Sequence, residues 1–331
     1  MPTMQKLFFL LFLSLSLHSE IVNEKVEKVF GSSPPMNYLL YALNPEKMIG
    51  LNFNAKNPNN YADATLLDKK FLTLPVIGSF HGGGVGINLE NILKHKPDLI
   101  LLWEDDLLVS RVQSEIAKTK IPTLTLPFRK ITDMPSSIKK AGEAIGEQER
   151  GQKLGDYAQK IIEEVANVTQ KAPKKVRYYY AEGIDGLSTE CSDSFHVEAH
   201  NFAGGENAHK CTQSGVLGLE KITFETLLGY DPDVIVVQNA LVYNEIVDSP
   251  LWKHLRALKT DRVYLVPNNP FNWIDRPPSF MRVLGIQWLA HIFYPDAYAI
   301  DIKERTKEFY ELFLNVKLTE NQLNSLLGTT K

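Results

Sequence analysis

The segment from Cys191 to Cys211 holds the densest set of groups in this chain that could do chemistry. It carries Phe195-His196-Val197-Glu198-Ala199-His200 and, further on, His209. Neutral imidazole is a good ligand for nickel, cobalt, copper, zinc or iron, so three histidines this close invite a metal reading. His196 and His200 are four apart and share a face if the segment is helical, which makes them the candidate metal ligands. His209 reads as a surface residue. Each histidine taken singly is equally compatible with an ordinary buried imidazole. The pattern is HxExH, neither HExxH nor HxxEH, so Glu198 is misplaced as a metalloprotease base. That weighs against an exported metalloenzyme built on His196, Glu198 and His200, which would need an open metal position and a positioned general base. Cys191 and Cys211 are the chain's two cysteines. Thiolate metal sites usually bring CxxC spacing. In an exported chain, an isolated pair reads instead as a disulfide, adding on the order of 3 kcal/mol through loop closure.

Five further residues or loops have side chains suited to gripping a ligand. Arg276, in Asn272-Trp273-Ile274-Asp275-Arg276, offers a fork of donors for a carboxylate or oxyanion, with a salt bridge to Asp275 as its plainer role. Trp273 offers a flat wall. Trp103 follows a buried apolar run and stands where an aromatic would line a cleft, and Arg111 begins the next helix. The glycine-rich Ser79–Gly86 stretch precedes a helix start, allows close backbone approach and carries His81. It lacks Gly-Lys-Ser/Thr and the GxGxxG spacing, so it is no phosphate loop.

An internal repeat supplies the frame for these residues. NLENILKHKPDLILL (Asn88–Leu102) aligns without gaps with TFETLLGYDPDVIVV (Thr223–Val237). Glu90 matches Glu225, Pro97-Asp98 matches Pro232-Asp233, and Ile100 matches Ile235. Each copy reads as a short amphipathic helix stopped before a proline, then an apolar run without alternation, as in a parallel strand buried on both faces. Further strands are expected at Met48–Leu51, Thr123–Leu126, Val176–Tyr180 and Arg262–Val266. Helices are expected near Val109–Lys118, Ser136–Ile145, Pro278–Phe293 and Ile302–Asn315. Between the copies, Leu154, Ala158, Ile161, Val165 and Val168 form one apolar stripe over Glu147–Gln170, predicting a helix of roughly 36 Å. It reads as a rigid strut; the alternative is a domain helix followed by a flexible boundary near Lys171-Ala172-Pro173. The fold class is therefore α/β: two similar lobes with mainly parallel sheets. The expected divisions are a leader over 1–19, a first lobe over 20–146, a connecting helix over 147–171 and a second lobe over 172–331.

The whole-chain numbers are consistent with this. A chain of 331 residues suffices for two cores, and a net charge of −3 gives no reason to expect nucleic acid or a general affinity for anionic membranes. Lys6 followed by Leu7–Leu17 and a small Ser19 reads as a secretory signal peptide, too short to span a bilayer. A soluble periplasmic protein is the expectation.

The chain resembles the class of periplasmic binding proteins whose two Rossmann-like lobes are joined by one long helix. The likeness is carried by the two repeat copies and by Ser249–Pro295, whose Asn-Pro-Phe-Asn-Trp-Ile-Asp-Arg-Pro-Pro-Ser core is most similar to the branch handling compact metal chelates and oxyanions. The resemblance implies a non-enzymatic receptor that captures a small ligand between the lobes and hands it to the membrane permease of an ABC importer. It implies a monomer without a covalent cofactor, and one docking glutamate per lobe, at Glu90 and Glu225. A nickel, cobalt or ferric chelate is the first expectation for the ligand; molybdate or tungstate, then haem or cobalamin, are the alternatives.

Overall fold

The computed structural model describes residues 26–54, 64–80, 89–104, 113–114, 116–172, 174–215 and 218–328. The leader, His81 and Arg111 lie outside them. In the first lobe, β1 (Val29–Gly31) leads into α1 (Pro34–Leu43), and α2 (Leu89–Lys94) leads into β2 (Leu99–Trp103). Then come β3 (Thr123–Leu126) and α3 (Met134–Ala144). The three strands form one parallel sheet in the order β1-β2-β3. The Met48–Leu51 strand expected from sequence is reduced to isolated bridges, Val29 with Met48 and Leu51 with Val76. Gly50 explains the irregularity, since a Cβ there would collide with Ile77 and the Pro75 carbonyl.

After the connecting α4 (Gln148–Lys171) the second lobe begins. Its elements include β4 (Val176–Ala181), β5 (Ser188–Thr189), α5 (Glu198–Phe202), β6 (Gly205–Asn207), β7 (Glu220–Lys221), α6 (Phe224–Tyr230), β8 (Val234–Val237), α7 (Ala240–Asp248), β9 (Val263–Leu265) and α8 (Arg282–Phe293), with further helices at Arg256–Lys259, Ile302–Phe309 and Glu320–Leu326. The parallel sheet runs β6-β4-β8-β9, and β5 and β7 form a small antiparallel ribbon.

The repeat has a structural reason. β2 and β8, the apolar runs of the two copies, are fully buried and have a neighbour on both sides. The repeated aspartate does the same work in each lobe. Asp98 Oδ2 accepts the backbone N–H groups of Glu27 and Lys28 just before β1, and Asp233 Oδ2 accepts Arg177 N at the start of β4. Each carboxylate thus satisfies donors at the beginning of the adjacent strand and fixes its register.

The connecting helix buries the predicted stripe of Leu154, Ala158, Ile161 and Val165. Gly142 and Gly151 let α3 and α4 touch backbone to backbone; a Cβ on either would come within 3 Å of the other's Cα. At the other end, Glu164 accepts from Tyr298 Oη at 2.9 Å and from Arg305 at 2.8 Å. The helix is not the only tie. Tyr38 of α1 stacks on Phe271 of the second lobe at 3.9 Å and 16°, and one continuous apolar core contains residues of both lobes. These ties should disfavour a large hinge closure of one lobe on the other.

Candidate functional site

The two lobes meet where the strand C-termini point, the place an open α/β sheet offers to ligands. From the first lobe come Trp103, at the end of β2, and the chain following β3. From the second comes the single turn Phe195–Val197, capped by Ser194, whose hydroxyl accepts His196 N. Trp103 meets Phe195 edge-on at 6.3 Å, and the Arg129 guanidinium lies 4.7 Å from the centre of the Phe195 ring. Beside them Arg282, fully buried at the start of α8, reaches across the seam. Its Nη1 donates to Arg129 O at 2.8 Å, its Nη2 to Phe128 O at 2.5 Å, and it pairs with Glu198 at 2.9 Å. Glu198 also accepts Ile131 N at 2.8 Å. A guanidinium and a carboxylate of one lobe therefore satisfy three backbone groups of the other. Next to this clamp opens a cleft of about 510 Å³, lined by Arg129 and Lys130 on one side and by Ser192, Ser194, Phe195 and Asn201 on the other.

Below the turn lies a buried ionic cluster. Glu182, immediately after β4, and Glu190, immediately after β5, are both without exposed surface. Both pair with Arg276, Nε to Glu182 and Nη2 to Glu190. Glu190 also accepts Ser194 Oγ and Leu219 N. Asp275 is buried beside Arg276 and accepts His196 Nδ1 at 2.7 Å. Arg276 itself has φ of 53°, a left-handed conformation that a long side chain rarely adopts and that its ion pairs hold in place. Burial, together with Asp275 and Glu190 nearby, outweighs the attraction of Arg276 and pushes Glu182 up to about 8. Three carboxyl groups thus share one guanidinium.

The sequence-predicted residues divide sharply. Trp103 is buried at the seam, with its ring edge-on to Phe195 of the other lobe. Arg276 is near the seam, but its fork is already engaged by two carboxylates. Trp273 requires correction: it is no cleft wall. Its ring is wholly buried, and its Nε1 donates to Tyr310 Oη at 3.1 Å inside the core. His196 and His200 are not brought into one three-donor cluster among the described residues. His196 faces Asp275, whereas His200 is sealed between Tyr178 and Tyr180, its ring nitrogens without a hydrogen-bond partner. Burial pushes His200 down to about 3, so it is a neutral core imidazole. Glu198 is held by Arg282 and Ile131 and does not stand beside a histidine as a base. Cys191 and Cys211 form the expected disulfide. Glu90 and Glu225 are exposed in the first turns of α2 and α6, at matching places in the two lobes. His81 and Arg111 fall outside the described residues. Arg129, Phe195, Glu182, Glu190 and Arg282 were not singled out from sequence. Glu182 had a usable signal, since it directly follows a buried strand, the same placement that marked Trp103.

Comparison with known proteins gives a consistent result. A family model described as periplasmic binding protein matches residues 39–270. A solved ABC transporter solute binding protein from Sulfurospirillum deleyianum is 37% identical, covers 92% of this chain and 95% of that one, and superposes with a TM-score of 0.88. The molybdate-binding protein MolA of Haemophilus influenzae is 25% identical over 69% of this chain and 70% of its own length. The vitamin B12-binding protein of Vibrio parahaemolyticus is 24% identical over 78% and 86% respectively.

Proposed function

Because the chain belongs to the periplasmic binding protein family, whose members deliver a small ligand to the permease of an ABC importer, we propose that it captures a small nickel, cobalt or iron chelate at the seam between its lobes. The observation that carries this reading is the charge balance below the Phe195–Val197 turn. Even with Glu182 protonated, Glu190 and Asp275 outnumber Arg276, and the guanidinium is taken up by carboxylates. That buried cluster favours a cationic centre, while Arg129 and Lys130 lining the cleft suit the anionic groups of its chelator, so a metal held in an anionic chelate matches both. His196 is the donor for that centre. Its Nδ1 contact to Asp275 is the carboxylate–imidazole arrangement that orients a histidine and raises its basicity toward a metal. Trp103, Phe195 and Arg129 frame the ligand's organic part. The leader over 1–19 exports the chain, and Glu90 and Glu225 place one negative charge per lobe against the permease.

The test is calorimetry of the mature protein against Ni²⁺ with and without free histidine, ferric chelates, molybdate, haem and cobalamin. A metal chelate should bind most tightly, and His196→Ala should weaken it at least about tenfold. Tightest binding of molybdate, or no loss in His196→Ala, would overturn the reading.

A further inference from the structure

The Cys191–Cys211 bridge lies in a setting that a purely structural staple does not need. His209 reaches the same spot: its donor atom and the two sulfurs all lie within 4.8 Å of one another. His209 Nδ1 is bonded to Tyr230 Oη at 2.9 Å, so Nε2 is the ring nitrogen not engaged by that bond. This is the outer bond that typically fixes a metal-ligating imidazole. Glu220 adds a carboxylate within electrostatic reach of His209. Its Oε1 accepts Gln213 Nε2 and Ser214 Oγ, on the stretch that follows Cys211. The two cysteines have Cα atoms 4.8 Å apart, and Cys211 lies on an irregular, partly exposed segment outside any sheet. Two thiolates on a tetrahedral zinc stand about 3.7 Å apart, so opening the bridge to that spacing needs only a local side-chain movement.

We propose that this bridge is one state of a two-state centre: once reduced, Cys191, Cys211 and His209 hold a thiophilic divalent cation such as Zn²⁺, with water as fourth ligand. The reductant is a dithiol. Its thiolate attacks the more accessible Cys211 sulfur, breaking the S–S bond and releasing Cys191 as thiolate. The second thiol then displaces Cys211. The reductant leaves as its own disulfide, two electrons have passed to the protein, and the two cysteine protons are lost to solvent as the metal binds. Such a site is distinct from the ligand seam at His196. The two are nevertheless linked, because Ser192, Ser194, Gln213 and Ser214, flanking the bridge, line the 510 Å³ cleft.

The experiment compares oxidised and dithiol-reduced mature protein. Alkylation of Cys191 and Cys211 is followed by mass spectrometry, and thermal melting is recorded, each with and without Zn²⁺. Zinc should slow alkylation of both cysteines in the reduced protein at least tenfold and should raise its Tm without changing that of the oxidised form. His209→Ala, which leaves the bridge intact, should lose most of the protection after reduction, and Tyr230→Phe a smaller part. Alkylation rates indifferent to zinc, or protection unchanged in His209→Ala, would overturn the proposal. So would a reduced chain that unfolds and is not restored by zinc.

Discussion

The two lobes are built from the same helix–proline–strand unit, yet they bury different chemistry. In the first lobe the buried polar side chains are neutral: Ser32, Ser33, Asn37, Asn52, Ser79 and Ser137. Asn37 and Asn52 tie loops together through the Gly31, Gly50 and Gly78 backbone. In the second lobe the buried set includes Glu182, Glu190, Asp275 and Arg282, together with His196 and His200. Among the described residues, every buried charge belongs to that lobe. A duplicated scaffold has thus kept the interior of one half neutral and concentrated buried ionisable groups in the other, where buried charge is most expensive.

The largest effect that would test this asymmetry is removal of the central cation. Arg276→Ala leaves Glu182 and Glu190 facing each other and should cost about 3 kcal/mol in urea denaturation, with part of the loss recovered by adding Glu182→Gln and Glu190→Gln. A cost below about 1 kcal/mol would mean that the cluster is well solvated and that the contrast between lobes is shallow. The counterpart in the first lobe, Asn52→Ala, removes one neutral donor group from two buried carbonyls and should cost about 1–2 kcal/mol in the same measurement.

The pH dependence of stability should also come from the second lobe, in two opposite directions. Glu182 is raised from 4.5 to about 8, so its neutral form favours the folded state; that contribution is complete below about 4.5 and is lost as pH rises through 8. His200 is lowered from 6.5 to about 3, so its contribution is present above 6.5 and is lost as pH falls toward 3. Melting curves across this range should show Glu182→Gln flattening the alkaline decline and His200→Phe flattening the acid one. The smallest stability effect belongs to the matched surface pair. Glu90→Ala and Glu225→Ala should change stability by less than about 0.5 kcal/mol and leave ligand affinity intact, while uptake through the importer falls severalfold. Unequal losses would show that the lobes dock unequally, and unchanged uptake would remove the docking role.

Much of the frame was legible in the sequence because its signals are local. The pattern within each repeat copy, its proline stop and the stripe on α4 depend on neighbours within about fifteen residues. The site was less legible because its partners are distant in the chain. Arg276 meets Glu182 and Glu190 at separations of 94 and 86 residues, and Arg282 meets Arg129 O at 153. Trp273 shows the other weakness. An aromatic just beyond a strand can turn outward or inward, and here the core around Tyr310 takes the ring. Cys191–Cys211 was readable from compartment and count, but His209, read there as a surface residue, gave no sign that its ring turns to the bridge.

The Tyr38–Phe271 stack has a consequence for traffic. Aromatic glue across the waist, added to a stiff bar along the side, gives a tuning fork and not a pair of jaws. Empty and loaded molecules should then offer an importer nearly the same silhouette, and unloaded copies should compete for the same doorway. Import should slow when empty protein is in excess, and the transporter itself must do the prying that sets the cargo free.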